Sequence, residues 1–486
     1  TNRPTFQLAP STTKKYNRIV FFQTTPKIPI YLIAFVYGHF DHTSTFLTDS
    51  AIPVTCYTRP GSSSSCTFAT NATQKTLTKL SKLFNKPYNF PKLDIIAVPQ
   101  AAVPGMENSG LLIFQEQHLL MNPDLRFTSI QERDQIALTI AHELSHQYIF
   151  PGRNSWNEDL WLSEGLATFL SYTLTDQSAL LAGTARGRAM DADVLETTTR
   201  PLSSLRRPSN INNLNDLNNL NALFDDITYY KGAAILHMLS TTMNRRVPGS
   251  WELFLQQFFR PGNEEKTSTV DFLKALQQQL VDCVYMDGAL STAATSWIYS
   301  KGFDTTLLHM SNKNMKNTHE NCPLINSAGD GYYRTNYYRG YAKCLTQKFS
   351  TAGMMSDIGR LIYLDDIFGA ADEESGSSPN KYNVYTDTVM PLAVHLVNET
   401  SFDVWNIGLK RLLRMYTYLQ GSATTDKAKD NTNQEDRTIS IVPIDSECSN
   451  KFKLFVKNLL SQVIKKRSYI KQININQPTY NTQQQQ

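Results

Sequence analysis

Two histidines four positions apart, with a glutamate directly after the first, constrain this chain more than any other feature: Ala141-His142-Glu143-Leu144-Ser145-His146. Ile136, Leu138 and Ile140 run into the motif and place it on a helix. Residues four apart on a helix differ by about 40° in azimuth, so both imidazoles leave one face. Such a pair can chelate one Zn²⁺, and Glu143, next to the first ligand, reaches a water on the metal. The plain alternative is two ordinary helix histidines. With only nine histidines in 486 residues, a chance His-Glu-x-x-His is expected on the order of once per hundred such chains.

Zinc wants a third protein ligand and an open fourth position. Glu164 follows within Trp161-Leu162-Ser163-Glu164-Gly165-Leu166-Ala167, after a turn containing Pro151-Gly152 that can fold a second helix back on the first. A lone glutamate is ordinarily solvated surface. Its place among Leu162, Leu166 and Phe169 favours a ligand role, since a carboxylate near a core needs a partner. Asp159, just ahead of Trp161, suits either a helix cap or a partner to a metal ligand, and the sequence does not choose.

The remaining bulk properties exclude more than they assign. The length allows two or three domains, and 41% hydrophobic residues suffice for real cores. A balance of 47 basic against 43 acidic residues predicts no nucleic-acid partner. No stretch is long and apolar enough to span a bilayer, so membrane association would require a segment outside this sequence. The six cysteines have no metal-binding spacing, but Cys56 and Cys66 flank a turn-like Arg59-Pro60-Gly61 segment where a disulfide is reasonable. With the sequons at Asn71 and Asn398, they favour an oxidising compartment over the cytoplasm.

Periodicity predicts strands within residues 16–58, including Ile28–Val36 and Ala51–Tyr57, and another at Lys92–Val98. It predicts helices at Thr73–Asn85, across Ile130–Tyr172 and at Thr228–Leu239. Short strands are expected near Thr305–His309 and Gly331–Tyr338, and helices at Gly353–Ala371 and Thr386–Tyr418. The asparagine-rich segment 210–221 and residues 372–380 and 421–436 read as surface loops, and the tail as disordered.

Four motifs in order give the chain a resemblance to the aminopeptidase N-like zinc exopeptidases. They are Pro104-Gly105-Met106-Glu107-Asn108, the His142–His146 helix, Trp161-Leu162-Ser163-Glu164-Gly165, and Tyr229-Tyr230-Lys231-Gly232. The resemblance runs from about Tyr31 to Thr400. It implies an α+β fold with a thermolysin-like catalytic domain, a remnant β segment and a shortened C-terminal α-helical region. It implies one zinc ion on His142, His146 and Glu164, with Glu143 as general base and Tyr229, rather than its neighbour Tyr230, as donor to the oxyanion. It makes Gly105, Met106, Glu107 and Asn108 the substrate-binding edge, Glu107 holding the free α-ammonium group of a peptide.

The chain also departs from that pattern. Seventeen residues rather than eighteen separate His146 from Glu164, and Pro104-Gly105 replace the usual Gly-Ala. Against the family plan the expected division is 1–40, the end of a truncated β-rich domain; 41–300, catalytic; 301–340, a short β remnant; 341–470, truncated α-helical; and 471–486, disordered. The expected activity is hydrolysis of the first bond of peptides with a free N-terminus, by an extracellular or membrane-associated ectodomain. An endopeptidase sharing the same core is one alternative. A non-catalytic truncated ectodomain that binds peptides is another.

Overall fold

Residues 1–10, 18–47, 51–124, 128–149, 159–199, 205, 223–260, 268–282, 289–299, 304–307, 322–337, 339–374, 388–419 and 446–475 are described in a computed structural model. They belong to two units: residues 1–303 with 330–332, and residues 304–329 with 333–486. The architecture is mixed α and β, predominantly helical.

In the first unit, β1 (Thr5–Pro10) and β2 (Arg18–Phe22) form an antiparallel pair. A five-stranded sheet follows, built from β3 (Asp41–Phe46), β4 (Pro53–Thr58), β5 (Leu93–Val98), β6 (Gly105–Met106) and β7 (Leu111–Gln115), in the order β3-β4-β5-β7-β6. Its centre, β4-β5-β7, is parallel, and both edge pairings are antiparallel. β5 reads Leu-Asp-Ile-Ile-Ala-Val and buries Leu93, Ile95, Ile96 and Ala97, as a central strand covered on both faces should. Helix α1 (Thr67–Leu83) begins six residues before its expected start and turns Leu77 and Leu80 into the core. A Cys56–Cys66 disulfide ties β4 to the turn that starts this helix.

Ile28–Val36 is not the expected strand. It forms a short 3₁₀ turn at Ile30–Leu32, and Ile30 stands 85% exposed. Pro26 and Pro29 remove backbone donors. The side chain of Asn2, instead of a neighbouring strand, bonds the backbone of Leu32 and Ala34.

The helices of this unit are α2 (Ile130–His146), α3 (Leu160–Leu174), α4 (Arg186–Thr199), α5 (Gly232–Arg246), α6 (Ser250–Phe258), α7 (Thr269–Asp282) and α8 (Ala289–Tyr299). Ser129 caps α2, its hydroxyl accepting the Glu132 N–H at 3.0 Å, as a Ser-x-x-Glu start predicts. α3 is buried all round, with Trp161, Leu162, Leu166, Ala167 and Leu170 all in the core. Asp159 stands at its N-cap position but makes no capping bond. Its carboxylate accepts instead from the backbone and hydroxyl of Thr269, at 3.0 and 2.5 Å.

The second unit pairs β8 (Asp304–Leu307) with β9 (Tyr333–Asn336) in parallel. Its helices are α9 (Arg339–Ser350), α10 (Asp357–Glu374), α11 (Met390–His395), α12 (Phe402–Leu419) and α13 (Ser446–Ile475). A second disulfide, Cys322–Cys344, lies here; nothing in the cysteine spacing pointed to it. Leu345, Leu364, Leu392, Val404 and Leu412 form its apolar core, and Arg411 is paired with Asp365 inside it. The expected disordered tail is corrected at its start, since α13 continues through residues 471–475. The predicted loop at 372–380 is corrected at its start, since α10 continues through Glu374; residues 375–380, the predicted loops at 210–221 and 421–436, the Pro151-Gly152 turn and residues 476–486 lie outside the described residues. No helix among the described residues is long and apolar enough to cross a membrane.

Candidate metal and active centre

The site has two walls, one helical and one made of strand. On the helical wall, α2 presents His142 and His146 on one face, their ring centroids 4.9 Å apart and their Nε2 atoms 3.2 Å apart. Glu164, one turn into α3, brings Oε2 to 3.1 Å from His142 Nε2 and 3.5 Å from His146 Nε2. Tetrahedral zinc with bonds near 2.1 Å separates its ligand atoms by about 3.4 Å. These three edges match that spacing, and the group could hold a metal ion. The far ring nitrogens face hydroxyls of α3, Thr168 at 3.4 Å from His142 Nδ1 and Ser163 at 3.5 Å from His146 Nδ1. Both rings therefore turn Nε2 toward Glu164, an orientation that metal-binding histidines commonly need.

Burial and mutual charge set the protonation of this group in the metal-free protein. Burial holds the His142 imidazole below its ordinary value, against its hydrogen bond to Glu164. At His146 burial also opposes the charge, but the Glu164 carboxylate and its hydrogen bond prevail and raise it to about 9. Burial alone would raise Glu164; His146 and the hydrogen bonds from both rings hold it far below the carboxylate range. One proton thus rests on His146, where a metal would displace it. Glu143 is pushed well above the usual carboxylate range, first by burial and then by the charge of Glu107.

Tyr229 enters from a π-helical turn, Ile227–Lys231, directly ahead of α5. Its ring stacks on His142 at 5.7 Å, and its hydroxyl lies within the electrostatic reach of Glu164. Burial, then the charges of Glu164 and Glu143, raise its phenol well above the ordinary value. A close helix contact sets this position: a Cβ on Gly165 would lie 2.9 Å from the Gly232 Cα. Only two facing glycines let α3 and α5 approach so far. Glu164 and the π turn each adjoin one of these glycines, so the contact carries Tyr229 toward Glu164. The turn is held from behind by buried Lys231, which pairs with Asp193 of α4 at 2.9 Å; Asp193 also accepts the Tyr332 hydroxyl at 3.1 Å. Tyr230 lines the same cavity but meets Arg188 instead.

The second wall is β6. Gly105 and Met106 pair with Phe114 and Ile113 on one side only, leaving the other edge of the strand unpaired within the sheet. A Cβ on Gly105 would collide with the carboxylate of Glu143. Here glycine lets the edge backbone lie against that side chain. Glu107 follows, half-buried, and its carbonyl accepts from Gln147 Nε2 at 2.8 Å. Gln147 Oε1 in turn accepts the Gly110 N–H at 3.2 Å, so the residue after His146 clamps the loop carrying Glu107. Asn108 is buried and donates to the Tyr31 carbonyl at 3.2 Å.

All nine expected site residues except Asn108 line one cavity of about 670 Å³, a size suited to a small peptide. Asn108 stands behind it, bracing the loop. Sequence reading missed the parts that set distances: Gly165 against Gly232, Gln147, the Lys231–Asp193 pair and Arg188. The two glycines and Lys231 were visible as motif letters, but nothing in their spacing revealed what they touch.

Residues 68–297 match the peptidase family M1 domain. Over 453 residues the chain is 25% identical to human Aminopeptidase Q, covering 81% of this chain and 44% of that protein. It is 29% identical over 325 residues to Aminopeptidase M1-A of rice (Oryza sativa subsp. japonica), covering 65% and 34% respectively. It is 32% identical over 260 residues to bovine Glutamyl aminopeptidase, covering 53% and 26%. The chain therefore spans less than half the length of these relatives. The matched segment contains both histidines, Glu164, Glu107 and the Tyr229 turn, and over residues 68–297 the chain is similar to the peptidase family M1 domain.

Proposed function

We propose that the chain is a zinc-dependent aminopeptidase with a thermolysin-like catalytic domain, acting on peptides with a free α-amine. The observation that carries this reading is the convergence of His142, His146 and Glu164 within 3.1–3.5 Å, in a cavity that Glu143, Tyr229 and Glu107 also line. A zinc ion held by those three ligands would supply Lewis acidity toward a water and the scissile carbonyl. Glu143 accepts the water's proton and delivers it to the departing amine. Tyr229, whose phenol stays protonated across the neutral range, donates to the oxyanion as charge develops there. Glu107 pairs with the substrate α-ammonium, which limits cleavage to the first peptide bond. Gly105 and Met106 offer the free strand edge to the substrate backbone, Pro104 contributing no donor.

We assign the catalytic unit to residues 41–300, with a β-rich segment (1–40) ahead of it and a β segment (301–340) and a helical region (341–470) after it. Two disulfides support an extracellular setting. A second reading is a peptide-binding ectodomain without turnover. Turnover of zinc-loaded protein on an aminoacyl β-naphthylamide and on its N-acetylated form separates the readings. Cleavage of the free form alone is expected. Equal cleavage of both would make it an endopeptidase core, and cleavage of neither a binder.

A further inference from the structure

Arg188, near the start of α4, lines the same cavity but has no part in the chemistry above. Its guanidinium is braced from two sides. Nε and Nη2 donate to the two oxygens of Asp226 at 2.6 and 2.7 Å, and Nη1 donates to the Tyr230 hydroxyl at 3.2 Å. The same guanidinium carbon stands 4.5 Å over the Tyr230 ring. A guanidinium has five N–H donors. Three are occupied here, and two, one on each Nη, have no acceptor among the described residues. The side chain is 56% exposed, and Tyr172 and Tyr230 line the cavity beside it.

Its location separates it from the amine end. The charge of Glu107 acts on Glu143, on both histidines and on Tyr229. The groups acting on Arg188 are Asp226, Tyr230 and Tyr172. A peptide anchored by its amine at Glu107 and cut at the triad must extend its leaving fragment away from Glu107, past Tyr229. The adjoining residue, Tyr230, carries Arg188.

We propose that Arg188, held rigid by Asp226 and Tyr230, is a positioning residue that donates to the backbone oxygen of the leaving fragment, one residue beyond the scissile bond. The assignment rests on the aminopeptidase reading above. Asp226 already balances the guanidinium charge, so the site offers directed donors with little net field. That favours a neutral amide carbonyl. A terminal carboxylate presents the same planar oxygen chemistry but would place a second carboxylate beside Asp226.

Three substrates sharing one first residue test this: alanine β-naphthylamide, Ala-Ala amide and free Ala-Ala. The first has no leaving-side carbonyl. Arg188→Ala should lower kcat/KM for Ala-Ala amide roughly ten- to a hundredfold, the range of one charge-assisted hydrogen bond. It should leave the naphthylamide within about twofold. Asp226→Asn keeps hydrogen-bonding atoms while removing the balancing charge, and should shift preference toward free Ala-Ala. A loss on free Ala-Ala much larger than on the amide would identify a carboxylate subsite and overturn the carbonyl assignment. Equal losses on all three would reduce Arg188 to a brace between α4 and the π turn, and would also overturn it. Calorimetric binding of Ala-Ala amide to Glu143→Gln protein, with and without Arg188→Ala, keeps the two readings apart. Arg188-dependent binding without any wild-type turnover would sink the aminopeptidase but preserve the subsite.

Discussion

The two walls of the site are built by opposite means. The helical wall is rigid because its backbone is buried: α3 is surrounded by core, and α5 meets it at a Gly165–Gly232 contact that admits no Cβ. The strand wall is a two-residue edge held by one neighbour and by the Gln147 clamp. Metal ligands need errors of a few tenths of an ångström, which close-packed helices supply. A substrate edge has to accept a varying guest, and a strand with one free side does so. On the proposed reading, precision is placed where the guest would be an ion, and openness where it would be a peptide.

The largest effects should come from the helical wall and should differ in kind within it. Glu164→Ala should abolish stoichiometric zinc and, with it, turnover. Glu143→Gln should retain zinc yet lose roughly 10²- to 10⁴-fold in kcat, the usual worth of general acid–base catalysis. Metal analysis beside kinetics distinguishes the two. Near-normal turnover of a zinc-loaded Glu143→Gln protein would remove the proposed base.

Glu107, on the strand wall, should matter next, and only for charged substrates. Its removal as Glu107→Ala should cost unblocked peptides roughly ten- to a hundredfold in kcat/KM, as one charge-assisted hydrogen bond does. Any residual cleavage of N-acetylated peptides should hardly change. Equal losses would make Glu107 a structural residue of its loop.

Gly165→Ala probes the helix contact itself. Forcing a methyl between α3 and α5 should cost about 1–3 kcal/mol of stability, as overpacking typically does, read as a shifted denaturation midpoint. Because the same contact brings Tyr229 to Glu164, kcat should fall as well while zinc is retained. Loss of stability with kcat unchanged would uncouple the contact from Tyr229.

The smallest effect belongs to the clamp. Gln147→Ala removes two hydrogen bonds to the loop at 107–110, each worth about 1 kcal/mol. It should raise KM for unblocked peptides several-fold with zinc affinity intact. A matching fall in zinc affinity would show that α2 itself had shifted, and that the two walls are less independent than their construction implies.

The unequal legibility of the walls has the same origin. His142 and His146 share a face because helical azimuth depends only on sequence separation, so a local pattern sufficed to foresee the pair. Strand β5 and helices α1, α2 and α3 were legible for the same reason, as periods of burial. Ile28–Val36 was misread because apolar composition there resembles a strand, while its hydrogen-bonding partner is a side chain from residue 2. The second disulfide, Cys322–Cys344, was not foreseen, since no local turn marks it.

By itself the sequence determined which groups are present and which of them share a helix face: two imidazoles, a neighbouring glutamate, and a second helix bearing another carboxylate among apolar residues. Only the tertiary structure decided the distances. Glu164 meets the histidines because α3 lies buried against α2. Tyr229 rather than Tyr230 reaches it because two glycines permit a backbone contact, and Gly105 lies on Glu143 because it lacks a side chain. Periodicity encodes direction around one axis, whereas the separation of two axes depends on the side chains between them, and here it is their absence that sets it.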